Sequence, residues 1–370
     1  MTTPNRGPLT GLRIVEISGL GPTPFTAMLF ADMGAEVIRI ARPNSGGAGA
    51  HVLGIANDIL DRGRDVVELD LKSPEGKAAA RALIARADAL IEGMRPGVME
   101  RLGLGPDDFT DHPALVYGRM TGWGQTGPMA QRAGHDINYI ALTGALHTMG
   151  AESPAIPLNL LGDFGGGGMY LAFGMLAALF HARATGQGQV VDGAITDGVA
   201  HLMGMITGMA QQGVWQDKRR ANLLDGGAPF YAVYACACGG HMAVGALEPQ
   251  FYQALLEGLE LDPAALPDRE NRANWPALHE IFTACFASRS RDDWAAVFAQ
   301  SDACATPVLT LAEARAHPQN KDRGAYIVHE GVNQPAPAPR LSRTPGRIGA
   351  GSALRRITPA EALARWGSAQ

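Results

Sequence analysis

Aromatic residues make up only 6% of this 370-residue chain, and charged residues only 18%. The formal net charge is −5, with acids and bases interspersed. Broad electrostatic binding to nucleic acid is therefore not expected, while a local basic pocket for a phosphorylated ligand stays open. Cysteine is scarce as well: Cys236, Cys238, Cys285 and Cys304 are all there are. So few in so long a chain argues against a disulfide framework and for a reducing compartment. Cys236-x-Cys238 with a lone His241 falls short of the four spaced ligands of a structural zinc site. No metal is expected, and buried thiols beside a hairpin are expected instead. The longest apolar run, residues 169–180, has 12 residues. A bilayer span needs about 20, so no membrane association is expected. The N-terminal ten residues lack the apolar core of a secretory signal, and the C-terminal residues form no targeting tail. A cytoplasmic location is the expectation.

What the chain does have is apolar side chain, 46% of residues, enough for a large core and about two domains. The opening reads as a βαβ unit: a strand over Leu12–Ile17, a helix over Phe25–Met33 ended by Gly34, and a second strand over Glu36–Ile40. The alternation continues with strands near Val66–Leu69, Ala89–Glu92 and Leu115–Met120 and a helix over Pro74–Ala87. That rhythm predicts a mostly parallel sheet covered by helices. A helix is expected from about Phe164 to His181, a short strand at Val190, and a helical link from Thr196 to Leu224. Then the pattern changes to a hairpin over Phe230–Leu247, turning at Gly239-Gly240, followed by amphipathic helices from Glu248 to Ser301. The proline-rich stretch from Gln334 to Arg340 is expected to be extended.

Several motifs bear on chemistry. Gly19-x-Gly21 follows the first strand, but Pro24 stands where a dinucleotide fingerprint has its last glycine, and the ribose-binding acid expected about 20 residues on is not evident. Arg39 and Arg42 mark the second strand instead. An arginine fork suits a ribose phosphate, so an NADP or coenzyme A nucleotide fits better than NAD. Arg101 is a weaker candidate of the same kind. Gly165–Gly168 open a long helix at a cost of roughly 1 kcal/mol per glycine relative to alanine. Close approach of a ligand to that backbone is the expected reason. Asp163 just before them is read equally as a helix cap and as a catalyst. His135, between a glycine-rich loop and a helix, can exchange a proton near neutral pH. Glu248 precedes a helix after the hairpin.

At these residues the chain resembles the α-methylacyl-CoA racemases of the family III CoA-transferase superfamily, from Gly11 to about Arg343. The resemblance rests on Leu12–Pro43, Asp70-Leu-Lys72, Met120–Pro128, Gly134-His-Asp-Ile-Asn-Tyr139, Leu161–Gly167, Asp225–Pro229 and Glu248-Pro-Gln-Phe251. It implies that His135 and Asp163 are the two acid/base residues and that Glu248 hydrogen-bonds the histidine. It also places Arg42, Arg101, Leu69 and Asp136 with coenzyme A, which would be part of the substrate rather than a separate cofactor. The fold it implies is α/β. A Rossmann-like large domain, 1–198 completed by 335–370, is joined through a helical linker, 199–227, to a small α/β domain, 228–312, with 313–334 as the return. The implied assembly is an interlocked homodimer with its active site at the subunit interface. Arg62-Gly-Arg-Asp65 departs from the family pattern, because Asp65 stands where a second basic residue is common.

The chemistry implied is inversion of the carbon α to a thioester. Removing a proton from one face and delivering one to the other calls for two groups in complementary protonation states, with positioned donors for the enolate oxygen. Backbone amides near Asp136 are the expected donors, and the family assigns the histidine to the S enantiomer and the aspartate to the R. One alternative is a family III CoA-transferase in which Asp163 is the nucleophile. Another, of a different class, is an NADP-dependent reductase; a non-catalytic acyl-CoA-binding protein ranks lower.

Overall fold

The computed structural model describes residues 7–44, 59–349 and 355–367. The chain divides into two compact units: Met1–Thr143 with Pro157–Met203 and Lys321–Gln370, and Gly144–Ile156 with Gly204–Asn320. The main sheet of the first unit is built on six strands, in chain order Arg13–Ile17 (β1), Glu36–Ala41 (β2), Asp65–Glu68 (β3), Ala89–Glu92 (β4), Val116–Thr121 (β5) and Val190–Ala194 (β6). A short strand, Arg355–Arg356, joins them at the edge beside β3. The seven run in the order edge strand, β3, β2, β1, β4, β5, β6, and every neighbouring pair is parallel. The expected α/β class and parallel sheet are therefore observed, and the C-terminal residues complete the sheet. Strand order reverses between β1 and β4, which opens a crevice at the carboxyl ends of the strands.

Local chemistry sets the helices. Gly21 has φ 66°, a left-handed conformation that suits glycine, and Pro22 then starts helix Pro22–Asp32 (α1). Ser73 caps helix Pro74–Ile84 (α2), its hydroxyl accepting from the Gly76 amide at 2.9 Å. Ile38, Val67, Leu83, Leu90 and Trp366 share one core, and each aliphatic side chain fully buried there contributes about 1.5–3 kcal/mol.

Arg39 departs from the phosphate-binding expectation. It lies within β2, and its guanidinium turns inward to Glu16 at 2.9 Å and Asp61 at 2.5 Å, while Arg64 meets Glu16 at 2.6 Å. All four residues are at most 4% exposed. Deleting one partner of such a buried cluster strands the opposite charge and costs about 3–5 kcal/mol. The Arg62–Asp65 stretch is likewise architectural: Arg62 pairs with Asp32 at 2.5 Å, and Asp65 holds Arg355 at 2.8 Å and also Arg365.

Helix Asp136–Leu142 (α3) follows β5. The glycine-rich segment then forms a π-helix, Leu160–Met169, continuous with α-helix Tyr170–Thr185 (α4), so the helix starts four residues before Phe164. Among the described residues, this 26-residue stretch is the one helix long and apolar enough to cross a membrane, although 39% of its apolar window is buried. α4 packs on β5 and β6. Helix Ile195–Leu202 (α5) packs on the π-helix, and this contact explains much of the glycine run. A Cβ at Gly198 would sit 1.9 Å from the Gly166 carbonyl oxygen, one at Gly166 2.5 Å from Val199, and one at Gly168 2.6 Å from Phe25. Helix-on-helix packing, rather than approach of a ligand, therefore uses Gly166 and Gly168.

The second unit has an antiparallel sheet of Tyr231–Ala235 (β7), His241–Gly245 (β8) and Ala305–Pro307 (β9), with a positive-φ turn at Gly239. Helices Pro249–Gly258 (α6), Trp275–Phe286 (α7) and Arg291–Phe298 (α8) follow, around a core that includes Tyr234, Phe282, Phe286, Trp294 and Phe298. Cys236 is buried as expected, but Cys238 is exposed. The expected helical link ends at Gln211, and residues from Gly204 onward belong to this unit. Of the proline-rich stretch, only Gln334 and Pro335 are in a strand, paired with Ile327 and Tyr326 in the first unit.

Candidate active site

Two clefts open at the carboxyl ends of the first unit's strands. One, of about 510 Å³, is lined by Ile17 at the end of β1 and Ser18 after it, Arg42 after β2, Leu69 and Lys72 after β3, and Met94 after β4. The second, of about 350 Å³, is lined by Met94 and Arg95, by Gly122 and Trp123 after β5, and by Arg132, His135 and Tyr139. Met94 is common to both. Arg42 and Lys72 place two cations in the first cleft against one acid, Asp70, with the apolar Leu69 beside them, a balance that still suits a phosphorylated nucleotide. Of the residues expected to meet a nucleotide, Arg42 and Leu69 line this cleft. Arg101 is exposed at the end of a short helix, Val98–Arg101, whose Val98 lines the cleft. Lys72, Arg95 and Arg132 were not singled out as site residues from sequence, although Lys72 lies in the Asp-Leu-Lys stretch that carries the resemblance.

His135 is the residue just before α3. Its backbone amide donates to the Asn138 side chain at 3.0 Å, which leaves the imidazole exposed in the second cleft. Tyr139 walls that cleft: its ring meets Trp123 edge-on at 4.7 Å, and its hydroxyl donates to the Gly134 carbonyl. Burial, followed by the negative charge of Asp163, pushes the Tyr139 hydroxyl up to about 12. It therefore stays protonated at neutral pH.

Asp163 stands inside the first turn of the π-helix rather than ahead of it. Its surroundings are tight. A Cβ on Gly21 would lie 2.9 Å from its carboxylate, and the next residue, Phe164, stacks on Phe25 of α1 at 4.4 Å. Its carboxyl is raised from 3.8 to about 6: burial contributes most, the negative charge of Asp136 adds to it, and the Asn159 side chain and His135 oppose it. The first unit thus brings His135 and Asp163 into electrostatic reach of each other. Asn159 is a contact the sequence reading missed; a polar residue capping the start of the π-helix was the available signal.

Asp136 is only 6% exposed, and its carboxylate accepts from the Asp163 amide at 2.7 Å. Its side chain is thus turned to the protein's own backbone. Glu248 lies in the second unit, exposed at the cap position of α6 with no hydrogen bond from its side chain to the helix.

The model of the CoA-transferase family III matches residues 9–352. The chain belongs to that family. Among its relatives, the alpha-methylacyl-CoA racemase of Mus musculus is 46% identical over 341 residues, covering 91% of this chain and 87% of that protein. The alpha-methylacyl-CoA racemase of Homo sapiens is 45% identical over 343 residues, with the same coverage, 91% and 87%. More distant is the succinyl-CoA–L-malate CoA-transferase alpha subunit of Chloroflexus aurantiacus, 30% identical over 94% of this chain and 87% of that one. A solved CAIB/BAIF family protein from Brucella suis shares the fold, with a TM-score of 0.83 at 24% identity, covering 98% of this chain and all of that one.

Proposed function

We propose that this protein is an α-methylacyl-CoA racemase that interconverts (R)- and (S)-2-methylacyl-CoA thioesters by two-base proton transfer through an enolate. The observation that carries the reading is Asp163, raised to about 6 within electrostatic reach of His135, whose cleft shares Met94 with the cation-bearing cleft. The identity to racemases over most of the chain points the same way. An aspartate that titrates near 6 exists in useful amounts both as acid and as base around neutral pH. One of the pair takes the α-hydrogen while the other delivers a proton to the opposite face. Negative charge gathers on the thioester oxygen in between, where backbone amides near Asp136 would hold it. Arg42, Arg101 and Leu69 would hold the nucleotide of coenzyme A, which belongs to the substrate; no separate cofactor or metal enters the reading.

The assembly we propose is a homodimer in the cytoplasm, in which Glu248 fixes the tautomer of His135 and stabilises its imidazolium. Glu248→Gln keeps the shape and removes the charge, so activity should fall while coenzyme A binding persists; a wild-type rate would remove Glu248 from the site.

The test of the reaction is turnover in D₂O. Either enantiomer should gain α-deuterium as it inverts, without an added acceptor acid. His135→Ala and Asp163→Asn should each abolish inversion in both directions, and the surviving base should still exchange the α-hydrogen of the one enantiomer it faces. Trapping Asp163 as a hydroxamate during turnover, or a requirement for a carboxylic acid acceptor, would instead establish transferase chemistry.

A further inference from the structure

Asp136 presents an unusual combination. It is nearly wholly buried, yet one carboxylate oxygen, Oδ1, has no hydrogen-bond partner. The other oxygen, Oδ2, accepts from the Asp163 amide at 2.7 Å. The chain packs so closely here that a Cβ on Gly162 would lie 2.4 Å from that same Oδ2. The groups acting on the Asp136 carboxyl are burial and the backbone amides of Asp163 and Gly162, and no arginine or lysine is among them. A buried carboxylate without a cation is costly, and a cap on the π-helix needs only a neutral acceptor. The charge asks for a further reason.

We infer that Asp136 is a positioning residue for Asp163: its carboxylate clamps the Asp163 backbone amide and sets a negative charge beside the Asp163 carboxyl. The inference deepens the racemase reading and rests on it for its catalytic consequence. In a two-base reaction, the enzyme form that receives one enantiomer differs from the form that receives the other by which base holds the proton. An aspartate at its ordinary value of about 3.9 would hold a proton in only about one molecule in a thousand at pH 7, too few to serve as the acid. After burial, the Asp136 charge is the second cause that lifts Asp163 and so keeps its acid form populated.

The other charged neighbours do not supply this effect. Asp197 and His201 lie on α5, Asp192 on β6, Arg119 on β5 and Asp32 on α1, yet the charges acting on Asp163 are those of Asp136 and His135. His201 is engaged by the Tyr170 hydroxyl at 2.7 Å, Arg119 by Glu92 at 2.9 Å, and Asp32 by Arg62 at 2.5 Å. Asp192 accepts from the Gln125 amide at 3.1 Å. Arg95 acts on Tyr139 rather than on Asp163.

The experiment is Asp136→Asn, which keeps an acceptor for the Asp163 amide and removes the charge. The Asp163 carboxyl is followed by ¹³C NMR titration of the full-length protein, its resonance assigned through Asp163→Asn. The midpoint should fall from near 6 toward that of an ordinary aspartate, and the limb of the pH–rate profile that reports Asp163 should move to lower pH in both reaction directions. Asp136→Ser, with a smaller neutral acceptor, should move the midpoint the same way if the asparagine variant folds poorly. An unmoved midpoint in a folded variant overturns the inference and leaves the racemase reading standing. Inversion that persists in Asp163→Asn overturns the racemase reading, while the effect of Asp136 on the titration remains measurable.

Discussion

At the scale of single residues, the catalytic role proposed for Asp163 comes at the expense of stability. Its folded-state pKa is raised from 3.8 to about 6. As pH climbs past 4 the unfolded chain loses this proton first, so the native state is penalised increasingly between about 4 and 6 and by a constant amount above. Discounted for its partial exposure, the penalty is on the order of 2 kcal/mol. Asp163→Asn should therefore abolish inversion yet raise Tm by a few degrees at pH 7–8, with the gain vanishing below about pH 4. Calorimetry across that range checks it, and a gain of equal size at pH 3.5 would assign the effect to packing. Arg42 carries a different expectation. It lines the strand-end cleft with Lys72 rather than the cleft of His135, so on the proposed reading its contact with the nucleotide should be equal in ground and transition states. Arg42→Ala should raise KM with little change in kcat, a loss of about 1.5–3 kcal/mol if the contact is shielded from solvent. Steady-state kinetics decides the matter, and an unchanged KM would return Arg42 to the solvated surface.

At the scale of elements, the close approach of the π-helix and α5 governs where Asp163 sits. Gly198→Ala would drive a methyl to 1.9 Å from the Gly166 carbonyl oxygen, and backbone cannot swing aside as a side chain can. A destabilisation of at least about 2 kcal/mol in urea denaturation is expected, together with loss of turnover as Asp163 shifts. Gly208→Ala, on helix Gly204–Gln211 with nothing within 4 Å of the added carbon, should be neutral or stabilising by up to about 1 kcal/mol. Equal outcomes for the two variants would refute the packing argument. The same elements show what is readable from sequence. β1, β2 and β4 lie within one residue of their expected bounds because buried parallel strands are short apolar runs between turn residues. The π-helix was not readable: four glycines announce freedom of the backbone, and only the folded partner reveals that α5 occupies the space. Arg39 failed for a related reason, since a basic residue near a strand end looks the same in sequence whether it faces a phosphate or a buried Glu16. His135 and Asp163 were legible through their junctions with helices and the family motifs, while Asn159 and the inward turn of the Asp136 carboxylate required coordinates.

At the scale of the whole molecule, the last residue of the π-helix and the outer face of α4 carry an exposed apolar stripe. Met169, Phe173, Leu176 and Phe180 recur at helical spacing, and they are 50%, 74%, 43% and 80% exposed. Scattered apolar residues on a surface need no explanation, but a continuous stripe with two large aromatics does, in a chain whose aromatic content is only 6%. Lipid and protein are the two surroundings that would cover it. The opposite face of α4 packs on β5 and β6, so the helix is part of a folded layer and would have to leave its sheet to span a bilayer. Covering by a second copy keeps that layer intact and agrees with the homodimer proposed above. Light scattering at low micromolar concentration should then give about twice the 38.9 kDa chain mass. Phe173→Glu combined with Phe180→Glu adds charge to the stripe without touching His135, Asp163 or either strand-end cleft. The double variant should elute with the mass of one chain, keep its far-ultraviolet circular dichroism and lose most of its turnover, with activity returning as protein concentration rises. A wild-type chain that is monomeric and fully active would refute the dimer, and co-sedimentation of the wild type, but not the variant, with neutral vesicles would give the stripe to lipid.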